Sequence, residues 1–489
     1  MCPDLLNCAI IPLVKDKNGK LDDSNNYRGI GLSCLLLKIV DWVILTLYDE
    51  ELAVDENQFG YQPKTSCAML SWTVIELINA FARAGSPVYA CLLDYRKAFD
   101  LVNHEKMFRI LVKRNVNLVF LRLLIAIYIN QKCYVKWNCT RSYSFNVTNG
   151  TRQGAVFSPR GGFNTYLHEL QQELRKSGHG LQLGTKWYGG LFWADDGILL
   201  STSVQGLQNL VDICQSHAAA TDLIFSTDVD ISKSKTICIA FNCQNSENLS
   251  PVTLNDNPLP WKKTVKHVGV TLNSNGTMES DIKEKRARFI QRSMELNEEF
   301  ECLTPECKQK LHRLYNNHWS GSSCWDYQDK LFQQLVNSYN VNMRIVYNLP
   351  RDTHCWIAEG ISGGNHAKKQ MYSRYVKFVN TLASTSRECV RSLFNYVSDD
   401  VRSQVAGNIR KVFLDTDILI VPGQTRPRDF SDYTVYPVPE GEEYRIPLIQ
   451  SLREILKDNW AVIFNEEEDE EDNLEMNDIQ MMINDLCSN

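Results

Sequence analysis

The 489-residue chain has no Cys-X-X-Cys pair, no apolar run long enough to cross a membrane and no excess of basic residues. Its 16 cysteines are scattered, which excludes a dense disulfide framework and fits reduced thiols inside a cell. Cys302, Cys307, His312 and His318 have helical spacing but no knuckle, so they read as core residues rather than a zinc site. The longest apolar stretch, Leu118 to Ile129, is short for a span and contains Arg122, so it reads as a buried helix and no membrane partner is expected. The N-terminus lacks the basic-then-apolar pattern of a secretory signal, and an intracellular, non-secreted protein is expected. The formal net charge of −6 excludes a uniformly basic protein that would trap any polyanion. Ten of the acidic residues lie in residues 466–489, which contain no Lys or Arg; without that segment the net charge becomes +4. A mildly positive body of this kind suits local basic grooves.

The 44% hydrophobic and 22% charged composition belongs to a globular protein, and the length to two to four domains. The stretch WYGGLFWADDGILLS, from Trp187 to Ser201, is apolar, reaches Asp195 and Asp196, and turns apolar again at Ile198 to Leu200. That is the pattern of a β-hairpin with two carboxylates at its tip. Adjacent carboxylates repel and resist burial, so a pair between buried strands asks for a divalent cation; the other reading is an ordinary Asp-Asp-Gly turn. A second stretch, VYACLLDYRKAFD, ends an apolar β-type run at Asp94 and leads toward a helix starting near Asn103. Strand, helix and central hairpin follow in the order of a ferredoxin-like split βαβ sheet, which can lay one strand end beside a hairpin tip.

At LLDYRKAFD, GTRQGAVFSP, FWADD and KSKT the chain resembles the reverse transcriptases of non-LTR (LINE-type) retrotransposons. NYRGIGL, QFGYQPKTS and KHVGVTL follow the same family's order, and LYNNHWSGSSCWD and NLPRDTH resemble its region beyond the thumb. The resemblance implies an α+β right-hand polymerase with fingers, a ferredoxin-like antiparallel palm sheet and a thumb, followed by a mainly α-helical C-terminal region. The divisions expected are fingers 1–85, palm 86–245, primer-grip hairpin 246–275, thumb-like helices 276–345, a helical region 346–464 and an acidic, disordered tail 465–489.

The resemblance also implies an RNA-directed DNA polymerase working by two-metal nucleotidyl transfer. Asp94, Asp195 and Asp196 would hold two Mg2+ ions, with Mn2+ as the alternative, and Lys235 would pass a proton to pyrophosphate. Lys15, Arg28, Phe99, Arg152, Gln153 and Gly154 would surround the incoming nucleotide, with Phe99 as the steric gate against a 2′-hydroxyl. The partners implied are an RNA template, a DNA primer or target and deoxynucleoside triphosphates. The chain begins near the fingers hairpin, so a separate endonuclease is expected. Two positions depart from the family pattern: Arg160-Gly161-Gly162 in place of a bulky apolar stretch, which should loosen that segment, and Trp193 where Tyr or Phe is usual. The rival expectation is a catalytically inactive, nucleic-acid-binding remnant of such an element.

Overall fold

The computed structural model describes residues 6–416 apart from 153, 228–233, 244–248, 317–318, 356 and 358–366. Residues 1–408 and 409–489 form two compact units, and of the second only the end of one helix is described. The expected tail 465–489 and the stretch 417–464 lie outside the described residues.

The chain opens with an antiparallel hairpin of β1 (Asn7–Val14) and β2 (Tyr27–Ser33), in register from Cys8 opposite Ser33 to Val14 opposite Tyr27. Its loop is closed by Lys15 N–H donating to Asn26 O at 2.7 Å and by the Asn26 side chain, which bonds both backbone polar groups of Asp16. Helices α1 (Leu35–Leu47) and α2 (Cys67–Arg83) follow. Ser66 caps α2 by accepting from Met69 N–H, and eleven of its seventeen residues are buried, as an apolar helix inside a core should be.

Next come β3 (Val88–Leu93), α3 (Ala98–Leu101), α4 (His104–Lys113), α5 (Leu118–Asn130) and β4 (Lys132–Trp137). β4 pairs in parallel with β1 and antiparallel with the short strands β5 (Thr140–Arg141) and β6 (Phe145–Asn146). Residues 132–146, within the range expected for the palm, thus belong to the first sheet. A parallel partner needs a long crossover, and everything from α1 to α5 supplies it.

The second sheet lies within the range expected for the palm. After a π-helical turn at Ser158–Asn164 come α6 (His168–Lys176), a small hairpin of β7 (Gln182–Leu183) and β8 (Lys186–Trp187), then β9 (Gly190–Trp193), β10 (Asp196–Ser201), α7 (Val204–Thr221) and β11 (Ile237–Phe241). Its strand order is β11-β3-β10-β9 with every pair antiparallel, the ferredoxin-like arrangement. Both α2 and α7 pack on it, so β3 is buried at five of its six positions and β10 at all but Asp196. The Arg160-Gly161-Gly162 segment is less loose than its glycines suggest: both glycines are buried in the π-helical turn.

A short hairpin, β12 (Thr253–Leu254) with β13 (Asn257–Pro258), precedes the one expected as primer grip, β14 (Thr264–His267) with β15 (Val270–Asn273). Helices α8 (Glu279–Glu299), α9 (Pro305–Tyr315) and α10 (Lys330–Val346) follow, then helices Ala367–Ser384, Glu388–Asp399 and Gln404–Thr416. Buried Asp281 joins them by accepting from Trp325 Nε1 at 2.8 Å and Thr271 N–H at 3.1 Å. The cations of α8 are engaged within the chain. Lys283 and Arg288 pair with Glu279 and Glu284, Lys285 donates to Gly269 O and Ser320 Oγ, Arg286 to Ser338 Oγ, and Arg292 to Tyr315 O. His312 is a core residue: buried, bonded to Asn297 at 2.9 Å and pushed down to about 4 by desolvation, while Cys302 is exposed and His318 lies outside the described residues.

Candidate active site

The site is built by register. Gly197 of β10 lies opposite Leu93 of β3 as the last pair of their ladder, so Asp196 and Asp94 are the residues that follow it on the two chains. On the far side Asp196 pairs with Trp193, which leaves Ala194 and Asp195 as the two-residue turn of the β9–β10 hairpin. Strand sequence and turn length thereby put three carboxylates at one end of the palm sheet. The Asp94 backbone is held there, its N–H on Thr236 Oγ1 at 3.3 Å and its carbonyl accepting from Ser226 N–H at 2.7 Å.

The electrostatics are those of crowded like charges. Desolvation, then the Asp196 and Asp94 carboxylates, raise Asp195 from 3.8 to about 6, with Arg28 acting in the opposite sense. Desolvation and Asp94 likewise raise Asp196, again opposed by Arg28. Burial and the charge of Asp195 also raise the Tyr61 hydroxyl, which places that ring beside the cluster. Among the described residues no three carboxylate, imidazole or thiol groups form a finished ligand set. The donors are nonetheless hard oxygens in charge deficit, and that chemistry fits a divalent cation.

Arg28 of β2 is the predicted nucleotide-site cation that faces this cluster. Lys15 instead donates to Asn25 O at 3.0 Å within its own loop. Phe99 stacks on Phe163 at 4.6 Å and meets Tyr61 edge-on at 6.5 Å, half-buried against the core. Arg152 is committed elsewhere: only 6% exposed, it pairs with buried Asp41 at 2.8 Å and lies over the Tyr128 ring. Gly154 has φ +99, and a Cβ there would stand 2.5 Å from Gly31 O, so this loop closes on β2 only as glycine. Gln153 lies outside the described residues. Lys235 is exposed one residue before Thr236, its N–H on Ser226 O. Beside Tyr61 opens a cleft of about 630 Å³ lined by residues that include Trp42, Pro63, Val156 and Arg160.

A sequence model of the family described as reverse transcriptase (RNA-dependent DNA polymerase) matches residues 14–272, more than half of the chain and all four palm strands. The chain belongs to this reverse transcriptase family. The match gives the chain the α+β polymerase fold of that family, and reverse transcriptases generally use divalent metal ions. It is 24% identical over 207 residues to a retrovirus-related Pol polyprotein from type-1 retrotransposable element R2 of Nasonia vitripennis, covering 42% of this chain and 20% of that protein. It is 24% identical over 188 residues to the Pol polyprotein from type-2 retrotransposable element R2DM of Drosophila melanogaster, covering 38% and 18%. The chain thus spans about a fifth of the length of the curated relatives it matches. A solved telomerase from Candida albicans, in complex with a fragment of telomeric RNA, aligns at 12% identity and TM-score 0.42 over 84% of this chain and 63% of that one. Apo telomerase from Candida tropicalis aligns at 11% and 0.41 over 84% and 67%. No helix among the described residues is long and apolar enough to cross a membrane.

Sequence reasoning missed two supports of the candidate site. Thr236 and Ser226 fasten the Asp94 backbone, and buried Gln58 bonds the Ala194 peptide in the hairpin turn. The signal for the second was the Gln-Phe-Gly of QFGYQPKTS, since a Cβ on Gly60 would stand 2.2 Å from Ala194 N.

Proposed function

We propose that the chain extends a DNA primer on an RNA template with deoxynucleoside triphosphates, and that Asp94, Asp195 and Asp196 are the carboxylates that hold Mg2+, two ions being the number this chemistry uses. The observation that carries the reading is the β10–β3 register, which ends at Gly197 opposite Leu93 and so makes Asp196 and Asp94 the next residues on the two strands, beside a turn containing Asp195. When bound, the ions supply Lewis-acid stabilisation of the primer 3′-oxygen and of departing pyrophosphate. The chain's own residues do the rest. Arg28, facing the carboxylates, gives the triphosphate a cation that is not itself bound to metal. The Phe99 ring, held by Phe163, takes the floor where an added 2′-hydroxyl would clash, and so selects deoxynucleotides.

Lys235 passes a proton to the leaving pyrophosphate from a position next to the Asp94 support. Lys15 and Gln153 complete the nucleotide contacts, while Arg152 holds its loop through Asp41. The fingers, palm and thumb divisions belong to this same reading, with residues 132–146 counted among the fingers. Exposed Trp42 and Tyr61 offer aromatic faces on which unpaired template bases stack. Such holding is indifferent to sequence.

The test is primer extension on a defined RNA template by purified protein. Asp94→Asn and Asp195→Asn each lower the rate by at least about 10²-fold, as loss of a transition-state stabiliser does, with a melting temperature no lower than that of the wild type. Extension at the wild-type rate by either variant removes that residue from the reading. Absence of extension by the wild type at any divalent ion concentration returns the chain to a nucleic-acid-binding remnant.

A further inference from the structure

The Asp195 carboxylate sits in a turn that its own sequence does not favour. Ala194, the first of the two turn residues, has φ +54, a conformation that alanine, with its Cβ, rarely takes and glycine or asparagine would supply more readily. Something outside the hairpin must hold it there.

The holder is in the segment following α1. Gln58 is fully buried, and its Oε1 accepts from Ala194 N–H at 2.9 Å and from Gly60 N–H at 2.9 Å. Its Nε2 donates to Ala194 O at 3.4 Å, so one carboxamide grips the N–H and the carbonyl of the same turn residue. The segment itself is fastened on both sides. Phe192 N–H donates to Asn57 O at 2.9 Å and Phe59 N–H to Phe192 O at 2.8 Å, which adds residues 57–59 to the edge strand β9 as a short parallel rung. Asn164 Nδ2 donates to Gly60 O at 2.5 Å from the π-helical turn, and Thr65 Oγ1 to Phe59 O at 2.5 Å. The clamp therefore bridges the catalytic hairpin and the helix that follows the nucleotide loop.

We infer that Gln58 is a positioning residue: its carboxamide enforces the left-handed Ala194 peptide and thereby aims the Asp195 carboxylate at the site shared with Asp94 and Asp196. A carboxamide suits the task because it accepts and donates at once and carries no charge. A carboxylate at position 58 would accept both N–H groups but would lose the bond to Ala194 O and bring a further negative charge toward Asp195. The inference rests on the reading of Asp195 as a site carboxylate.

The experiment compares Gln58→Met, which keeps length and volume but removes both hydrogen-bonding functions, with Gln58→Glu, Ala194→Gly and the Gln58→Met/Ala194→Gly double variant. Amide hydrogen exchange across residues 191–197 of the full chain is read alongside kcat and KM for extension of a primed RNA template. In Gln58→Met, exchange at Ala194 quickens while that of β3 stays as in the wild type, and kcat falls by about 10²-fold, as for a small misplacement, with KM for template-primer little changed. Adding Ala194→Gly restores part of kcat, because glycine takes a positive φ without the clamp. Gln58→Glu, which keeps the two acceptor bonds, shows a smaller rise in exchange and serves if the methionine variant does not fold. Unchanged exchange at Ala194 in both position-58 variants, or a kcat loss that Ala194→Gly leaves untouched, overturns the inference. Asp195→Asn separates the two readings: if it extends normally the site reading fails, while the exchange data still judge the clamp.

Discussion

Glu76 lies inside α2 with its Oε2 unbonded, and burial pushes its carboxyl from 4.5 up to about 7 against the weaker pull of Arg83. Because the folded value lies above the unfolded one, its protonated form is the stabilising one. That contribution is present in full below about pH 4.5 and is lost as pH rises through about 7. Glu76→Gln therefore leaves stability unchanged at pH 4 and raises it by roughly 3 kcal/mol at pH 8, read from urea unfolding at both. Phe99 presents a different question at the same scale, since one ring both packs on Phe163 and floors the sugar site. Phe99→Val raises the specificity ratio for ribonucleotides over deoxynucleotides by roughly tenfold, the worth of a steric gate of this size. An unchanged ratio in single-nucleotide extension assigns the ring to packing alone.

Hairpin turns place the functional groups at the scale of elements, and two of them carry strain. Val268 and Gly269 join β14 to β15 with φ +44 and +81, the twist a two-residue hairpin needs but one a β-branched residue resists. Lys285 of α8 donates to Gly269 O, so the thumb helix helps to hold the tip. Val268→Asn stabilises the chain by about 1 kcal/mol in urea unfolding, because asparagine takes a positive φ at lower cost. The same pairing accounts for α8 itself. Its cations are spaced so that carboxylates one turn away and backbone oxygens of neighbouring elements reach them, and they act as intramolecular struts.

Over the whole molecule, charge is distributed unevenly. Deleting residues 466–489 changes the formal net charge from −6 to +4. A polyanion then meets less long-range repulsion, so the truncated protein binds a labelled template-primer duplex about tenfold more tightly at low salt, where charge steering is strongest. The difference fades toward physiological ionic strength, where screening acts over about 8 Å. Coincident binding curves at low salt refute this.

Local pattern in the sequence was enough for α4 starting after Asn103, for α5, the Asp-Asp hairpin tip, the strand ending at Asp94 and the ferredoxin-like order of the second sheet. Apolar alternation, caps such as Ser66 and Asn103, and turn chemistry act between near neighbours, and near neighbours are what a sequence displays. Long-range pairing was decided only by the tertiary structure. Residues 132–137 joined the first sheet because β1 offered them an open edge; Arg152 turned inward because Asp41, distant in sequence, was buried beside it; and the α8 cations were taken by partners up to 52 residues away. The grip of Gln58 on Ala194, across 136 residues, belongs to the same class. A carboxamide that bonds a backbone peptide leaves no charge or periodicity to read, and only the folded chain brings its two ends together.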